Sequence, residues 1–474
     1  MVGIVSYGGY IPYYRLPRIE IAKAWMGQIA PQPGEKAVAN FDEDSVTMAV
    51  AAASDCLNGL DRTKIDGLYM ATTTSPYQER HGAGIISAAL DLRRDIRTGD
   101  FANSIRGATI ALNAALDTIK AGAAKNMLVT AADCRVGATA STAEMSFGDG
   151  AASLLLGEDN IIATLEASYT ISEDFMDVWK TDREGMIRTW EDRWIRDEGY
   201  SKFVPQAISG VLSKCNIGIQ DVAKVAFYSP FPGYHNAMMR SLKLDPAQVQ
   251  DSLFTTAGNT ATALPLMQLV AALEDAKPGD RILVAGYGNG SDALLFKVTE
   301  EIEKVRNRRG IKGHLGIKGI TTYEKSIRWR NMVPVEAGGR AEGELRHISP
   351  SALWRYRKAV LPLCGSQCNQ CGTPDYPPQR VCNKCQAVDD FKEYRFSDKK
   401  AKVFSFTNDL LAFSIDPPAT VAVVNFEGGG RGTFDMTDRD PNEVKPDMPV
   451  EMTFRKIQFT KGIHNYGWKV KPLR

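Results

Sequence analysis

Apolar positions in residues 1–300 form helix and strand patterns that alternate in a fixed order, and this order occurs twice. The first copy predicts helices over 51–60 and 108–120, strands over 65–71 and 127–131, and a glycine turn with a closing strand over 148–156. The second copy predicts helices over 207–214 and 262–277, strands over 222–228 and 281–285, and a turn with a closing strand over 290–296. A unit that occurs twice predicts a duplicated α/β domain.

The strands of this repeat are continuous apolar runs, such as Met127-Leu128-Val129-Thr130-Ala131. Strands that are covered on both faces have such runs, whereas half-exposed strands alternate apolar and polar positions. We therefore expect a central, mostly buried sheet. One half of the domain is predicted over residues 1–165 and the other over 166–300.

The pattern changes after residue 300. Residues 300–309 are highly charged, which favours a solvated linker or a connecting helix, and we interpret 301–352 as a linker. A short helix is predicted at 353–359. Short alternating runs at 401–407, 420–426 and 450–455, with Gly428-Gly429-Gly430 between two of them, predict a small β-barrel of the OB type over 391–474.

Two C-x-x-C motifs lie between the short helix and the predicted barrel, at Cys368 with Cys371 and at Cys382 with Cys385. Four thiolates form the closed tetrahedral sphere that Zn²⁺ prefers in structural sites. Prolines and glycine between the two motifs can turn the chain back on itself. The segment 353–390 is therefore predicted to be a helix followed by a structural zinc ribbon, with Cys364 as a spare thiol.

Composition places the 474-residue chain among soluble globular proteins, with 44% hydrophobic and 24% charged residues. Its net charge of +1 gives no electrostatic reason to expect binding to nucleic acid or to an anionic membrane. No apolar run approaches the roughly 20 residues of a membrane span, and the chain begins with a predicted strand instead of a signal peptide. Paired C-x-x-C motifs in an otherwise Cys-poor chain indicate a reducing compartment, so we expect a cytoplasmic protein.

Residues 1–300 resemble the thiolase superfamily, and within it the 3-hydroxy-3-methylglutaryl-CoA synthase and ketoacyl synthase III branch. The resemblance is carried by residues 2–12, 147–157, 276–292 and Gly258-Asn259-Thr260. Residues 353–474 resemble the zinc-ribbon plus OB-fold accessory domain that accompanies thiolase-like enzymes, on the segment from Cys368 to Cys385 with Pro377-Pro378. The resemblance implies a duplicated five-layer fold, a homodimer, acyl-CoA substrates and carbon–carbon bond chemistry.

The chain departs from that family where the chemistry is expected. The family's nucleophilic cysteine falls on Ile105, or on Ser104 if the turn slips by one residue, and residues 100–109 contain no cysteine. The catalytic histidine of the synthases falls on Tyr228 in Phe227-Tyr228-Ser229-Pro230. Their acidic glutamate falls near Thr73, so Asn259 alone remains of the expected set.

Three residues are candidates for the chemistry itself. Tyr228 could give a proton to an alkoxide or take one from a β-hydroxyl, or it could simply fill the room of a lost histidine. Asn259 is a neutral donor suited to an enolate oxygen, or else a turn residue. Ser104 could hold a substrate carbonyl, be acylated, or cap a helix.

Other candidates could support that chemistry. His235 could replace the base or lie on a surface loop, and the backbone N–H of Gly288 could face an oxyanion or belong to an ordinary turn. Arg106 could bind a CoA phosphate or a substrate carboxylate, or be a solvated surface residue. Cys134 is interpreted as a buried thiol in preference to a relocated nucleophile.

Two classes of function follow. The first is an enzyme that makes or cleaves a carbon–carbon bond β to an acyl-CoA thioester, by an aldol, retro-aldol or Claisen-type step without a cysteine intermediate. The second is a catalytically silent acyl-CoA-binding or scaffolding protein, which the loss of three catalytic side chains favours. An acyltransferase that uses Ser104 or another residue is a further alternative.

Overall fold

The computed structural model of the protein describes residues 1–181, 185–336 and 349–474. The chain forms two compact units. Unit 1 comprises residues 1–39, 44–87 and 92–326, and unit 2 comprises residues 40–43, 88–91 and 327–474. Within the described ranges, no helix has the length and apolarity needed to cross a membrane.

Unit 1 contains fourteen of the described strands: β1 (Gly3–Tyr10), β2 (Tyr14–Pro17), β3 (Glu35–Val38), β4 (Gly67–Ala71), β5 (Arg97–Phe101), β6 (Met127–Asp133), β7 (Gly150–Gly157), β8 (Ala163–Ser172), β9 (Val178–Trp179), β10 (Arg188–Thr189), β11 (Lys224–Phe227), β12 (Arg281–Tyr287), β13 (Gly290–Val298) and β14 (Gly319–Ile320). Its α-helices are α1 (Arg18–Ala24), α2 (Ser45–Cys56), α3 (Gly82–Ala89), α4 (Gly107–Lys120), α5 (Thr142–Ser146), α6 (Asp192–Trp194), α7 (Ser201–Cys215), α8 (Pro232–Ser241), α9 (Leu264–Asp275), α10 (Gly310–Leu315) and α11 (Tyr323–Trp329), the last residues of α3 and α11 lying in unit 2.

Nine of these strands form one sheet in the order β11-β12-β13-β8-β1-β7-β6-β4-β5. In the first half β7 is antiparallel to β1 and to β6, and β6 is parallel to β4. In the second half β13 is antiparallel to β8 and to β12, and β12 is parallel to β11. The two halves meet where β1 pairs with β8 at Gly3 and Thr164. Because the strands of the two halves pair in the same way, the predicted duplication is confirmed.

Two helices lie between the halves of the sheet. Helix α4 contacts β4 and β6 of the first half and β12 and β13 of the second, and α9 contacts β1 and β7 as well as β11 and β12. Every residue of α9 from Leu264 to Leu273 is buried, as expected for a helix that is covered on all sides. Helix α2 packs on β1 and β7, and α7 on β8 and β13, which completes the five layers.

The predicted linker over 301–352 requires correction in its first part. Residues up to 326 belong to unit 1 and contain a 3₁₀-helix (Glu300–Val305), α10, β14 and most of α11. Apolar residues hidden in the charged segment explain the difference, because Ile302, Val305 and Ile311 are buried and attach it to the core. Residues 337–348 of the predicted linker lie outside the described residues.

Unit 2 contains two of the smaller sheets. Its helices are α12 (Pro350–Arg355) and α13 (Arg357–Val360), and a three-stranded sheet follows with β15 (Cys364–Cys368) between β16 (Pro374–Asp375) and β17 (Phe391–Arg395). A five-stranded sheet then has the order β20-β19-β18-β21-β22, from β18 (Ala401–Asp409), β19 (Ala419–Phe426), β20 (Arg431–Asp435), β21 (Pro449–Thr460) and β22 (Ile463–Pro472). It contains the three predicted strands and adds β20 and β22.

A buried ionic network lies within unit 2. The guanidinium of Arg455 contacts Asp42 at 3.2 Å, Glu43 at 2.7 Å and Asp438 at 2.6 Å, and Lys469 contacts Asp42 at 3.0 Å. The two cations hold the pKa of the Asp42 carboxyl below its ordinary value, against the effect of burial. Burying several charges is tolerable only when they are paired in this way.

The start of α10 in unit 1 is held by two partly buried carboxyl groups. Asp55 accepts hydrogen bonds from the backbone N–H groups of Arg309 and Gly310 at 2.9 Å, and Glu274 accepts one from Ile311 at 2.6 Å. Gly310 has a φ of +60°, and a Cβ there would lie 1.6 Å from a Glu274 carboxyl oxygen. Burial, with a contribution from the Asp55 charge, raises the pKa of Glu274 from 4.5 to about 7.

This arrangement predicts that the free energy of unfolding falls as the pH rises from about 4.5 to about 7. The pKa of Glu274 is higher in the folded state than in the unfolded state, so its contribution is complete below pH 4.5 and is lost as the pH passes the folded-state value. Glu274→Gln should reduce the difference in the free energy of unfolding between pH 5 and pH 8 by about 2 kcal/mol. Urea unfolding at pH 5 and pH 8 measures it, with the exposed Glu158→Gln as the control. An equal difference in unfolding free energy between the two pH values in wild type and in Glu274→Gln would contradict the role of Glu274.

Candidate active site

Tyr228 and Asn259 form a direct contact in the second half of unit 1. Tyr228 follows β11 and is 3% exposed, and the Asn259 side-chain amide donates to its hydroxyl oxygen at 3.1 Å. The orientation of that amide is fixed, because its oxygen accepts from the backbone N–H of Ala261 at 2.9 Å. The backbone N–H of Asn259 donates to Ser146 at 2.8 Å. Hydrogen bonds of both its side chain and its backbone therefore fix Asn259 beside Tyr228.

Two glycines allow the Asn259 segment to lie against the turn before β7. A Cβ on Gly148 would lie 1.8 Å from the carbonyl oxygen of Ala257, and Gly258 has a φ of +93° with Gly148 at 3.0 Å from its Cβ position. Only glycine fits such a close backbone approach. These two glycines belong to the segments on which the family resemblance depends.

A buried carboxylate at the end of β6 connects the two halves. One oxygen of Asp133 accepts from the hydroxyls of Thr72 and Thr74 at 2.9 Å and from the backbone N–H of Thr73 at 2.8 Å. The other accepts from the Thr73 hydroxyl at 2.9 Å and from the backbone N–H of Thr262 at 3.0 Å. The sequence analysis did not select this residue. The signal was visible, because three threonines follow β4 and an aspartate ends β6, its neighbour in the sheet. Thr73, where the family acid falls, is thus a donor to Asp133.

The turn before α4 contains Ser104 and Ile105, the two residues on which the family nucleophile is expected to fall. Ile105 is buried there, and the Ser104 hydroxyl donates to the Gly288 carbonyl at 3.3 Å and accepts from the backbone N–H of Arg106 at 3.2 Å. Gly288 has a φ of +145°, and a Cβ on it would lie 2.7 Å from Ile105. The Gly288 N–H, predicted to face an oxyanion, donates to Gly290 at 3.0 Å.

Arg106 is buried instead of lying on the surface. Its guanidinium lies 3.4 Å from the Asp292 carboxylate and donates to the carbonyl of Ile171 at 2.5 Å. Asp292 also accepts from the Thr109 hydroxyl at 2.7 Å, and burial raises its pKa despite the Arg106 charge. The contacts of Arg106 are thus structural, and its role in binding substrate stays a prediction.

His235 lies in α8 and packs against the end of β11. The His235 ring stacks on Phe227 at 4.6 Å with an interplanar angle of 19°, and burial lowers its pKa. His235 therefore packs on the residue before Tyr228, and its role as a base stays a prediction.

A second group of buried titratable residues surrounds Tyr228, and sequence reasoning missed it. Tyr287, the last residue of β12, stacks on Tyr228 at 6.3 Å between ring centroids with an interplanar angle of 14°. Arg135 is buried with its guanidinium 5.0 Å from the Phe147 ring centre, and Asp177 is 4% exposed. Burial raises the pKa of Tyr228, and the Arg135 charge is the strongest influence that lowers it. Tyr228 is therefore a neutral phenol at neutral pH.

The segment after Asn259 links the two parts of the site. Thr262 donates its backbone N–H to Asp133, and its side-chain methyl lies 3.6 Å from the Cβ position of Gly107, the first residue of α4. Ser104 and Gly288 lie at that same helix start. Cys134, beside Asp133, is partly exposed and donates its backbone N–H to the Thr74 hydroxyl at 3.0 Å.

The four cysteines of the two C-x-x-C motifs come together in unit 2. Their sulfur atoms all lie within 4.8 Å of one another, with 3.5 Å between Cys368 and Cys385 and between Cys371 and Cys382. Cys364 lies apart, with its sulfur 3.9 Å from the Asp91 carboxylate. A donor set of four sulfurs at this spacing fits a tetrahedral metal site with sulfur–metal distances of about 2.3 Å.

We predict that Asp133→Asn lowers the free energy of unfolding of the protein by about 3–5 kcal/mol. An amide has one accepting oxygen, so its NH₂ group would face donors such as the Thr262 N–H and leave them unpaired. Thermal and urea unfolding measure the effect, and Asp117→Asn on the exposed face of α4 is the matched acid-to-amide control. Equal stability of the two variants would contradict the structural role of Asp133.

Comparisons with known proteins agree with this architecture. Residues 100–171 match a family model described as 3-oxoacyl-[acyl-carrier-protein] synthase III, and residues 394–455 match one described as the C-terminal OB-fold domain of ChsH2. The solved structure of an HMG-CoA synthase complexed with CoA has a TM-score of 0.62 at 20% identity, covering 73% of this chain and 95% of that one. The 3-oxoacyl-[acyl-carrier-protein] synthase III of Aquifex aeolicus has a TM-score of 0.57 at 23% identity, covering 63% and 100%. At these identities the structures establish the thiolase-like fold alone.

Relatives found by comparing sequences have a higher sequence identity to this chain than these solved structures have. A hydroxymethylglutaryl-CoA synthase of Methanopyrus kandleri is 32% identical over 317 residues, which cover 65% of this chain and 90% of the relative. One of Pyrobaculum arsenaticum is 30% identical over 350 residues, covering 70% of this chain and 98% of the relative. The alignments thus span nearly the whole of each relative.

Proposed function

Because this chain belongs to the hydroxymethylglutaryl-CoA synthase family, we propose that it is an enzyme that makes or cleaves a carbon–carbon bond β to an acyl-CoA thioester without an acyl-cysteine intermediate. The observation that carries the proposal is the contact between Asn259 and Tyr228, in a chain with no cysteine at residues 100–109. The homodimer and the cytoplasmic location stay predictions.

Asn259 and Tyr228 have distinct roles in this proposal. The Asn259 amide is a fixed neutral donor, suited to the oxygen of a thioester enolate. The neutral Tyr228 phenol gives its proton to the alkoxide that forms when the enolate carbon attacks a carbonyl group. In cleavage the phenol first releases its proton through solvent, and the phenolate then takes the β-hydroxyl proton. Two neighbouring donors therefore serve the two oxygens of one aldol step.

Ser104 is proposed to position substrate. Its hydroxyl contacts the Gly288 carbonyl and the Arg106 N–H, and neither group can accept a proton from it as a general base would. Intact-protein mass spectrometry after incubation with acyl-CoA separates positioning from acylation. An adduct on Ser104 would favour an acyltransferase, and an adduct on any cysteine would overturn the cysteine-free reaction.

A catalytically silent acyl-CoA-binding protein is the second candidate, and one observation favours it. The Gly288 N–H is engaged within its own turn at 3.0 Å, so a donor expected in the family is not directed at a substrate oxygen. The two candidates differ in one measurable property, because only the enzyme releases a carbonyl product or free CoA from a thioester.

We predict that Tyr228→Phe lowers turnover by about 10²–10⁴-fold with little loss of thioester binding, since it removes a proton donor and keeps the ring. Asn259→Ala should lower turnover by about 10²–10³-fold. The assay follows free CoA together with aldehyde or ketone over a panel of 3-hydroxyacyl-CoA thioesters that includes 3-hydroxy-3-methylglutaryl-CoA, and over the reverse condensations. Tyr69→Phe, which loses a hydroxyl 3.4 Å from Thr118, is the control. Full activity of Tyr228→Phe would exclude the proposed role.

We also propose that the cysteine cluster holds one structural Zn²⁺. Cys368, Cys371, Cys382 and Cys385 fill all four positions of a tetrahedral site, so the metal stabilises the fold of the segment.

Elemental analysis should give about one zinc per chain. Cys382→Ser should lose the metal and destabilise the ribbon, whereas Cys364→Ser, which changes a cysteine outside the cluster, should keep it. Full zinc content in Cys382→Ser, or an unchanged C-terminal domain after chelation of the metal, would contradict the site.

A further inference from the structure

The proposed reaction needs a second proton-transfer group. When an acyl-CoA condenses with a carbonyl compound, one proton leaves the α-carbon of the thioester and another joins the new alkoxide. Tyr228 serves the alkoxide, and a neutral phenol that must give a proton cannot be the base that removes one at the same stage. The base for the α-carbon is therefore a different residue.

Tyr287 and Asp177 have the geometry for this task. The Tyr287 ring is stacked on Tyr228, and a Cβ on Gly199 would lie 2.7 Å from the Tyr287 hydroxyl. One carboxyl oxygen of Asp177 accepts from the backbone N–H of Val178 at 2.7 Å, which orients the group. The other oxygen and the Tyr287 hydroxyl are both buried and interact with each other, and neither makes a hydrogen bond to any further group among the described residues. Buried polar atoms in that condition call for a functional explanation.

The other titratable groups near Tyr228 are already engaged. Asp133 accepts hydrogen bonds from Thr72, Thr73, Thr74 and Thr262, and the ring of His235 is stacked on Phe227. Arg135 is a cation and cannot act as a base. The Asp177 charge is the strongest influence on Tyr287 after burial itself, and both pKa values are raised. A raised pKa makes the Asp177 carboxylate a stronger base.

We propose that Tyr287 is the residue that exchanges a proton with the α-carbon of the acyl-CoA, and that Asp177 acts through it as the proton acceptor and positioning residue. The inference rests on the proposed function. It assigns the two stacked tyrosines to opposite ends of one reaction, with Tyr228 at the carbonyl oxygen and Tyr287 at the α-carbon.

The step balances without a further reactant. Tyr287 takes the α-proton while it passes its own hydroxyl proton to Asp177, and the C–H electron pair forms the enolate whose oxygen faces Asn259. The α-carbon then bonds to the carbonyl carbon, and the carbonyl π electrons move to oxygen, which takes the Tyr228 proton. Solvent carries the Asp177 proton back to the Tyr228 phenolate, so the enzyme gains no proton. Cleavage runs the same transfers in reverse.

Exchange of the α-protons with D₂O tests the pair separately from carbon–carbon chemistry, because it requires no carbonyl partner. The probes are acetyl-CoA and butyryl-CoA with the zinc-loaded full chain, and mass spectrometry measures deuterium at the α-carbon. Tyr287→Phe and Asp177→Asn should slow exchange by about 10²–10⁴-fold. Asp177→Asn should lower kcat for exchange without raising KM, and Tyr228→Phe should keep exchange while it loses carbon–carbon turnover.

Tyr234→Phe is the matched control, because the buried Tyr234 donates to the carboxylate of the exposed Asp192 at 2.7 Å in a second tyrosine–aspartate pair. Circular dichroism and melting confirm that each variant is folded. Exchange that survives in folded Tyr287→Phe, or no exchange by wild type with either probe, overturns the inference. Exchange that depends on Tyr287, with no thioester of the panel cleaved or condensed, supports the inference and overturns the proposed carbon–carbon chemistry instead.

Discussion

The hydrogen bonds to the Asp133 carboxylate are the interaction on which the rest of the site depends. A carboxylate in the core is unfavourable unless donors surround it, and Asp133 has donors from both halves of the duplicated domain. Thr72, Thr73 and Thr74 come from the end of β4, and Thr262 comes from the turn that leads into α9. The same turn holds the amide of Asn259, which is the hydrogen-bond partner of Tyr228. Asp133 therefore helps to set the position of Asn259 through Thr262.

The second constraint is the close approach of backbone segments around the start of α4. Gly288, Gly148 and Gly258 each lie where a side chain would collide with a neighbouring turn. Small residues at these points bring the nucleophile turn, the Asn259 segment and the end of β12 together. This geometry surrounds the apolar side chain of Ile105, and residues 100–109 contain no cysteine.

Charge is distributed differently in the two units. In the Tyr228 site of unit 1 the buried Arg135 interacts with Asp133, Asp177 and Tyr228, which favours a site whose groups exchange protons. In unit 2 Arg455 and Lys469 neutralise Asp42, Glu43 and Asp438 in a closed network. The site around Arg135 leaves polar atoms that can contact a ligand. In the network around Arg455 the charges are paired with one another, so the network stabilises the fold.

The sequence by itself determined the features that depend on neighbouring residues. Apolar periodicity predicted the duplicated sheet, the C-x-x-C spacing predicted the four-sulfur cluster, and family motifs marked Tyr228 and Asn259. Tertiary structure alone decided that His235 stacks on Phe227, that Arg106 contacts Asp292, and that residues 301–326 belong to unit 1. It also brought Arg135, Asp177 and Tyr287 to one place. The reason is that periodicity records which face of an element is buried, whereas the partner of a buried polar group comes from a distant part of the chain and is fixed only when the layers pack.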